Sequence, residues 1–251
     1  MGFFSILAVI GFIMLGFGLY INKTVIRPGY GGSINIAIVG APRFLNPVLN
    51  QVNDADKDLS AVIFSGLMKY NAKGELITDL AEKYSIGNDG KTYEITLKNN
   101  LKWQDGQDLT ADDVLFTVQT IQNQDYRSPI RPLWQGIETE KVSDNVIRFH
   151  LKNIYVSFLS NLTFGILPKH LWGNVVPSQF ALNELNLKPI GSGPYQFNKL
   201  QKDKNGTVKS IELKAFDKYF SGKPFISTVT FYFYSSENDA LAAYKKSEAD
   251  V

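Results

Sequence analysis

The sequence predicts a mixed α+β domain, and three observations predict it. Short runs of alternating β-branched and polar residues recur along the chain. Apolar stripes at helical spacing stand between them. The two kinds of run follow one another without the regular strand–helix–strand period of a parallel α/β fold. Ahead of this domain lies a long uncharged stretch that reads as a membrane-spanning helix.

That stretch covers residues 2–22, and its apolar part ends at Ile21. At 1.5 Å per residue it makes roughly 30 Å of helix, the thickness of a bilayer's hydrocarbon core. A cleaved signal peptide would offer a basic start, a shorter apolar core and a small-residue exit. Met1-Gly2 supplies no basic side chain, and Phe17-Gly18-Leu19-Tyr20-Ile21 lacks such an exit. Residues 1–22 therefore read as an uncleaved anchor, with a signal peptide or a buried core helix as alternatives. Lys23 and Arg27 follow the run and nothing basic precedes it, a pattern that would leave the domain cytoplasmic, but two charges leave the side of the membrane open. The chain has no cysteine, which excludes thiol lipidation and disulfides. Residues 23–32, with Pro28-Gly29-Tyr30-Gly31-Gly32, read as a short tether.

Ser33-Ile34-Asn35-Ile36-Ala37-Ile38-Val39 alternates as a strand and is ended by Gly40 and Pro42. Leu59, Val62, Ile63 and Leu67 form an apolar stripe that predicts a helix over 58–70, with Asp56 or Asp58 near its cap. Asn71-Ala72-Lys73-Gly74 is a turn. Tyr84-Ser85-Ile86 and the alternating stretch 92–97 flank Gly87-Asn88-Asp89-Gly90, a hairpin signal because Asn, Asp and Gly tolerate positive φ. A polar turn over 102–107 precedes a helix from Thr110 to about Gln122. Thr110 caps it, Asp112 and Asp113 sit at its positive end, and Val114, Leu115, Val118 and Ile121 supply the buried face. Residues 145–151 form a strand, 156–162 a helix or irregular segment, and Pro168-Lys169-His170-Leu171-Trp172 a loop entering a short helix. Residues 212–215 and 228–234 are strands again.

The residues that carry chemistry elsewhere are sparse. Total charge is balanced, 26 basic against 24 acidic residues, with no basic block of the kind nucleic-acid binding requires. The two histidines, His150 and His170, share no metal-ligand spacing and read as structural or surface residues. Asp112 and Asp113 are neighbours on one helix and point about 100° apart, which favours capping over paired acid–base work. No nucleophile elbow, Walker A loop or HExxH motif is present, so no enzyme is predicted, and no cofactor or metal is implied. Pro189-Ile190-Gly191-Ser192-Gly193-Pro194-Tyr195 is the most distinctive short stretch. Its prolines fix a tight turn, and Gly191 and Gly193 let backbone approach backbone, so it reads as a structural or hinge-side turn, with a ligand-adjacent role as the alternative. Aromatic residues make up 13% of the chain, enough for a core and for an apolar cleft, without a sign that separates the two uses.

Several ordered motifs together resemble the family 5 solute-binding proteins, the extracytoplasmic oligopeptide- and dipeptide-binding components of ABC importers. They are Ile63-Phe64-Ser65-Gly66-Leu67-Met68-Lys69-Tyr70, Asp79-Leu80-Ala81-Glu82-Lys83-Tyr84, Leu101-Lys102-Trp103-Gln104-Asp105-Gly106, Leu109-Thr110-Ala111-Asp112-Asp113-Val114, Gly191-Ser192-Gly193-Pro194-Tyr195 and Ala215-Phe216-Asp217-Lys218-Tyr219-Phe220. The resemblance implies a type II periplasmic-binding-protein-like clamshell that closes on a peptide or similar small solute and presents it to a membrane permease. It implies a discontinuous first lobe over 33–56 and 174–251, with the family's α+β subdomain over 57–173 between. It also implies a monomer without nucleic acid, and places the soluble part outside the bacterial cell membrane, overriding the charge pattern. Gly191, Gly193, Pro194 and Tyr195 match the family's structural signature. Ala41, Pro42, Arg43 and Phe44 match the loop near the cleft and are expected ligand contacts, with Asn46 where the family commonly has aspartate. Family members are much longer, so the second lobe is expected to be absent from this sequence. A membrane-tethered sensor or docking module built on part of the fold is the alternative reading.

Overall fold

Two four-stranded sheets organise the computed structural model, which describes Met14 and residues 29–251. The first sheet has the order β1-β10-β9-β8, built from β1 (Gly31–Val39), β8 (Tyr195–Lys202), β9 (Val208–Ala215) and β10 (Ile226–Tyr234). Strands β1 and β10 run parallel, in register from Gly31 opposite Ile226 to Val39 opposite Tyr234; the other pairings are antiparallel. The second sheet is antiparallel, ordered β4-β5-β7-β6, from β4 (Ala81–Ile86), β5 (Thr92–Leu97), β6 (Ile137–Ser143) and β7 (Val146–Leu151). A small ribbon pairs β2 (Met68–Tyr70) with β3 (Leu76–Thr78). Gly31–Val251 forms one compact unit.

The period-2 pattern fixes which face of the second sheet is inside. Tyr93, Ile95 and Leu97 on β5 and Ile147, Phe149 and Leu151 on β7 are buried, while the residues between them are not. Helix α2 (Ala111–Gln122) covers that face with Val114, Val118 and Ile121; Leu115 is only partly buried. Thr110 and Asp113 close a capping box at its start, as Thr110 and its acidic followers predict. Aromatic rings complete this core. Phe158 of α3 (Phe158–Asn161) lies 4.8 Å from Tyr93 and 5.4 Å from Phe149, and Trp134 lies 4.8 Å from Phe164. On the solvent side Arg148 reaches both Glu94 and Glu140 across the strands.

Helix α1 (Asp54–Ile63) corrects the helix expected over 58–70. It starts at the cap residue Asn53 and ends at Phe64, and residues 68–70 are strand. The apolar stripe continues to Leu67 because that side chain is also buried, but tertiary bonds capture its backbone. Asp79 N and Ala81 N donate to Leu67 O, and Met68 N donates to Leu162 O. Strand β1 starts two residues earlier than expected, so Gly31 and Gly32 belong to the sheet and not to the tether. The last residues run along the other edge of β1, where Asp250 N donates to Asn35 O and Ala37 N to Val251 O, both at 2.8 Å. Short helices α4 (Lys169–Trp172) and α5 (Pro177–Phe180) and the helix α6 (Glu237–Lys245) complete the chain. The run read as a membrane anchor lies outside the described residues, and among these no helix is long and apolar enough to cross a membrane.

Candidate functional site

The proline–glycine stretch sits where the two sheets are joined. Gly193 N donates to Ile63 O at the end of α1, at 2.8 Å. A Cβ on Gly191 would lie 2.0 Å from Ile63 O, and one on Gly193 would lie 2.7 Å from Ile63 C, so only glycine admits this approach. Gln104 locks it from the other side. Its side-chain amide donates to Gly193 O and Tyr195 O and accepts from Gly191 N, while its own N–H donates to Gly191 O. Ser65 N donates to Ser192 Oγ, Phe216 N to Pro194 O, and Tyr195 Oη to Ile226 O. The polar groups of the turn that these bonds use are spent within the chain, on backbone and on the Gln104 side chain.

Beside this joint opens a cavity of about 620 Å³. Its walls come from Pro47, Asn50 and Gln51, from α1, residues 64–70, Asp79, residues 130–134 and residues 160–165, and from Pro194 and Tyr219. Phe64, Met68, Trp134 and Phe164 give it apolar surface, and Lys69, Asp79 and Tyr219 are its convergent polar groups, the mixture expected of a ligand site. Lys69 Nζ lies 2.8 Å from Asp79 Oδ1, and Asp79 is only 3% exposed. Burial alone would lower the Lys69 ammonium, but the hydrogen bond and charge of Asp79 outweigh it and hold the pKa above the ordinary lysine value. Burial raises the Tyr219 phenol, the Asp79 carboxylate adds to the rise, and hydrogen bonds from Ser65 and Lys69 oppose it. The pocket thus carries a charged pair and a neutral phenol on a wall of mixed character, where Asn50, Gln51, Ser60 and Asn161 stand beside the apolar side chains. A second cavity, of about 700 Å³, lies against β6 and β7 and meets the first at Trp134. It is lined by ten residues of one neighbourhood, 122–138 and 150–152, and is the more open of the two. The first draws its walls from segments as distant in sequence as Pro47 and Tyr219, which only the fold assembles.

The loop expected at the cleft is held in place from below. Asp56, fully buried in α1, accepts from Arg43 N at 2.7 Å and Phe44 N at 2.9 Å, and its second oxygen accepts from Asn53 Nδ2. Burial raises the Asp56 pKa, and these hydrogen bonds only partly offset it. Pro42 is buried, Ala41 and Phe44 are half-buried, and Arg43 is exposed with its guanidinium 5.4 Å over the Phe44 ring. None of the four lines the 620 Å³ cavity. Asn46 turns its side chain inward, where Oδ1 accepts from Val48 N. Among the described residues no group of three or more His, Asp or Glu side chains is placed to hold a metal ion. His170 Nε2 lies 2.7 Å from Asp105, and His150 faces Thr92 and Glu140. Asp113 spends its carboxylate on Thr110 N and Lys169 N, while Asp112 pairs with Lys141.

Sequence reasoning missed the cavity residues as a site. Phe64, Lys69, Asp79 and Tyr219 lie within motifs that carried the family resemblance, which was the available signal. Trp134 and Phe164 had none.

Comparison with known proteins decides the family. The model of the bacterial extracellular solute-binding proteins, family 5 (middle region), matches residues 75–251. The chain belongs to this family. Among family 5 relatives, the oligopeptide-binding protein AppA of Bacillus subtilis is 34% identical over 225 residues, covering 88% of this chain and 40% of AppA. The dipeptide-binding protein of Escherichia coli is 29% identical, covering 96% of this chain and 48% of that protein. The solved structure of B. subtilis AppA in complex with a nonapeptide superposes with a TM-score of 0.82 at 32% identity, over 89% of this chain and 44% of AppA. NikZ from Campylobacter jejuni, in complex with Ni(L-His), gives 0.78 at 28% identity, over 86% of this chain and 42% of NikZ. The chain thus spans less than half the length of each of these relatives. Family 5 membership makes the chain part of an extracellular solute-binding protein and places its domain outside the cytoplasm.

Proposed function

We propose that this chain forms one wall of a membrane-tethered receptor that captures short peptides outside the cell and delivers them to an ABC-type permease. The observation that carries the reading is the 620 Å³ cavity, with mixed apolar and polar walls and a Lys69–Asp79–Tyr219 cluster, in a family whose relatives include oligopeptide- and dipeptide-binding proteins. In this reading residues 33–56 and 174–251 make the first lobe and 57–173 the inserted subdomain. That division is supported by the sheets, since β1, β8, β9 and β10 fall in the first set and β4 to β7 in the second. The Gln104 clasp and the glycine turn fix the two together, so the cavity wall is preformed. A second body closes over the ligand, and Ala41, Pro42, Arg43 and Phe44 contact it from the end of β1. Of these, Arg43 has the exposed side chain to do so. The anchor over 1–22 keeps the receptor at the membrane.

A ligand that binds only the folded chain raises its melting temperature, by the equivalent of about 2.7 kcal/mol at a hundredfold excess over Kd. Differential scanning fluorimetry with a mixed-length peptide library tests the proposal. Peptide-dependent upward shifts that Lys69→Met or Phe164→Ala weakens are expected. Unchanged melting temperatures across the library at millimolar concentration would overturn it.

A further inference from the structure

The charges on the wall of the 620 Å³ cavity are one-sided. Helix α1 and its cap residue Phe64 present Lys57, Ser60, Ala61 and Phe64 to it, the i, i+3, i+4, i+7 spacing of a single helix face. Strand β2 adds Lys69, so two ammonium groups line the cavity. Asp79 is the one carboxylate among the lining residues, and it is already used. It is buried with its Oδ1 2.8 Å from Lys69 Nζ, which closes it to a ligand's ammonium group. The pair that Lys57 makes is of another kind. Its Nζ lies 3.2 Å from Asp54 Oδ1, but that carboxylate is 89% exposed and does not line the cavity, so this is a weak surface pair. The uncharged groups lean the same way. Asn50 is buried, and Gln51 Nε2 donates to its Oδ1, which leaves Asn50 Nδ2 as a donor without a partner among the described residues. Tyr219 takes hydrogen bonds from Ser65 and Lys69 and keeps its own proton to give.

We propose that this cavity seats a carboxylate of the captured peptide, with Lys57, Lys69 and Asn50 Nδ2 as its donors. The proposal rests on the capture reading above and adds the chemistry that the cavity selects. With Asp79 offsetting one of the two lysines, the wall keeps a net positive charge. An ammonium group placed there meets like charge and no unspent carboxylate. A carboxylate meets donors only, and hydrogen bonds to an ionised partner are roughly twice as strong as those between neutral groups. The partly apolar surroundings, with Phe64, Met68 and Phe164 on the wall, strengthen that attraction relative to open water. A peptide offers a carboxylate from two sources, its C-terminus and an acidic side chain, and both satisfy this chemistry.

Isothermal titration calorimetry of the full chain tests this with four alanine-based tetrapeptides, with or without one aspartate, each with a free or an amidated C-terminus. The amidated peptide without aspartate is expected to bind at least about tenfold more weakly than the best of the other three. A loss on amidation alone assigns the seat to the C-terminus, and a loss on removing aspartate alone assigns it to a side chain. Lys57→Gln locates the seat on this wall. Lys57 is the position to change because removing Lys69 would strand the buried Asp79 carboxylate and endanger the fold. In Lys57→Gln the gap between carboxylate-bearing and carboxylate-free peptides is expected to narrow to about threefold or less. Equal affinity for the four peptides, or a gap that Lys57→Gln leaves intact, overturns the carboxylate seat and leaves capture standing. A chain that binds none of the four overturns capture of short peptides and the seat with it.

Discussion

At the scale of single residues, Gly191 and Asp113 are the most tightly constrained positions. Gly191 has no room for a side chain, because its Cβ would meet a carbonyl oxygen of the α1 backbone rather than a side-chain tip. Gly191→Ala is therefore expected to cost about 3 kcal/mol or more in urea denaturation. Gly206→Ala is the control: nothing lies within 4 Å, its φ of +82° is the only obstacle, and it should cost about 1 kcal/mol. Asp113 is constrained by its burial. Burial, its largest influence, holds this carboxyl above the usual aspartate range despite hydrogen bonds from Thr110 N and Lys169 N. The folded chain then binds that proton more tightly than the unfolded chain. Its contribution to stability is fully present below the unfolded pKa and is lost as pH rises through the raised folded value. The stability advantage of the native protein over Asp113→Asn should shrink as pH rises above about 4, and an advantage that grows with pH there would contradict the assignment.

At the scale of elements, the Gln104 clasp makes the clearest prediction. One side chain serves Gly191, Gly193 and Tyr195, so Gln104→Ala orphans several backbone groups at once. A loss of about 2–4 kcal/mol is expected, larger than the roughly 1 kcal/mol for removing the α2 cap with Thr110→Ala. Equal losses would mean that the joint is not a clasp. Local signals made most elements readable. Gly87 to Gly90 turns the β4–β5 hairpin, with Gly90 at a φ of +64° and Asp89 accepting from Lys91 N and Thr92 N. Thr110 and Asp113 announce α2 because a capping box is a contact within four residues. The end of α1 was not readable. Leu67 keeps the helical spacing, but Gly66 packs a Cβ-width from the backbone of Thr163 and Phe164, a contact across nearly a hundred residues that local pattern does not carry. Strand β6 had the same fate: its burial alternates only weakly, because it is the edge of its sheet.

At the scale of the whole molecule, the family and its architecture were legible because many weak motifs recur in a fixed order. The site was legible only in pieces. Lys69, Asp79 and Tyr219 stand in three separate motifs, and nothing in any of them says that the three meet. The expected contact loop lies at the end of β1, tied down by Asp56, while the cavity is lined by Pro47, Asn50 and Gln51 just beyond it and by Lys57, Ser60 and Ala61 of α1. If a ligand bridges both, Arg43→Ala should weaken peptide binding without lowering stability, since its exposed side chain holds no part of the core, whereas Asp56→Ala should lower both. A fall in melting temperature with Arg43→Ala alone would contradict this division of labour. The measurement that tests the central claim most directly is photo-crosslinking with peptides bearing a diazirine side chain, read by mass spectrometry of the labelled chain. Competable labels are expected on residues 57–70, 130–134 and 160–165. Labels confined to other surfaces, or none that unlabelled peptide displaces, would contradict it.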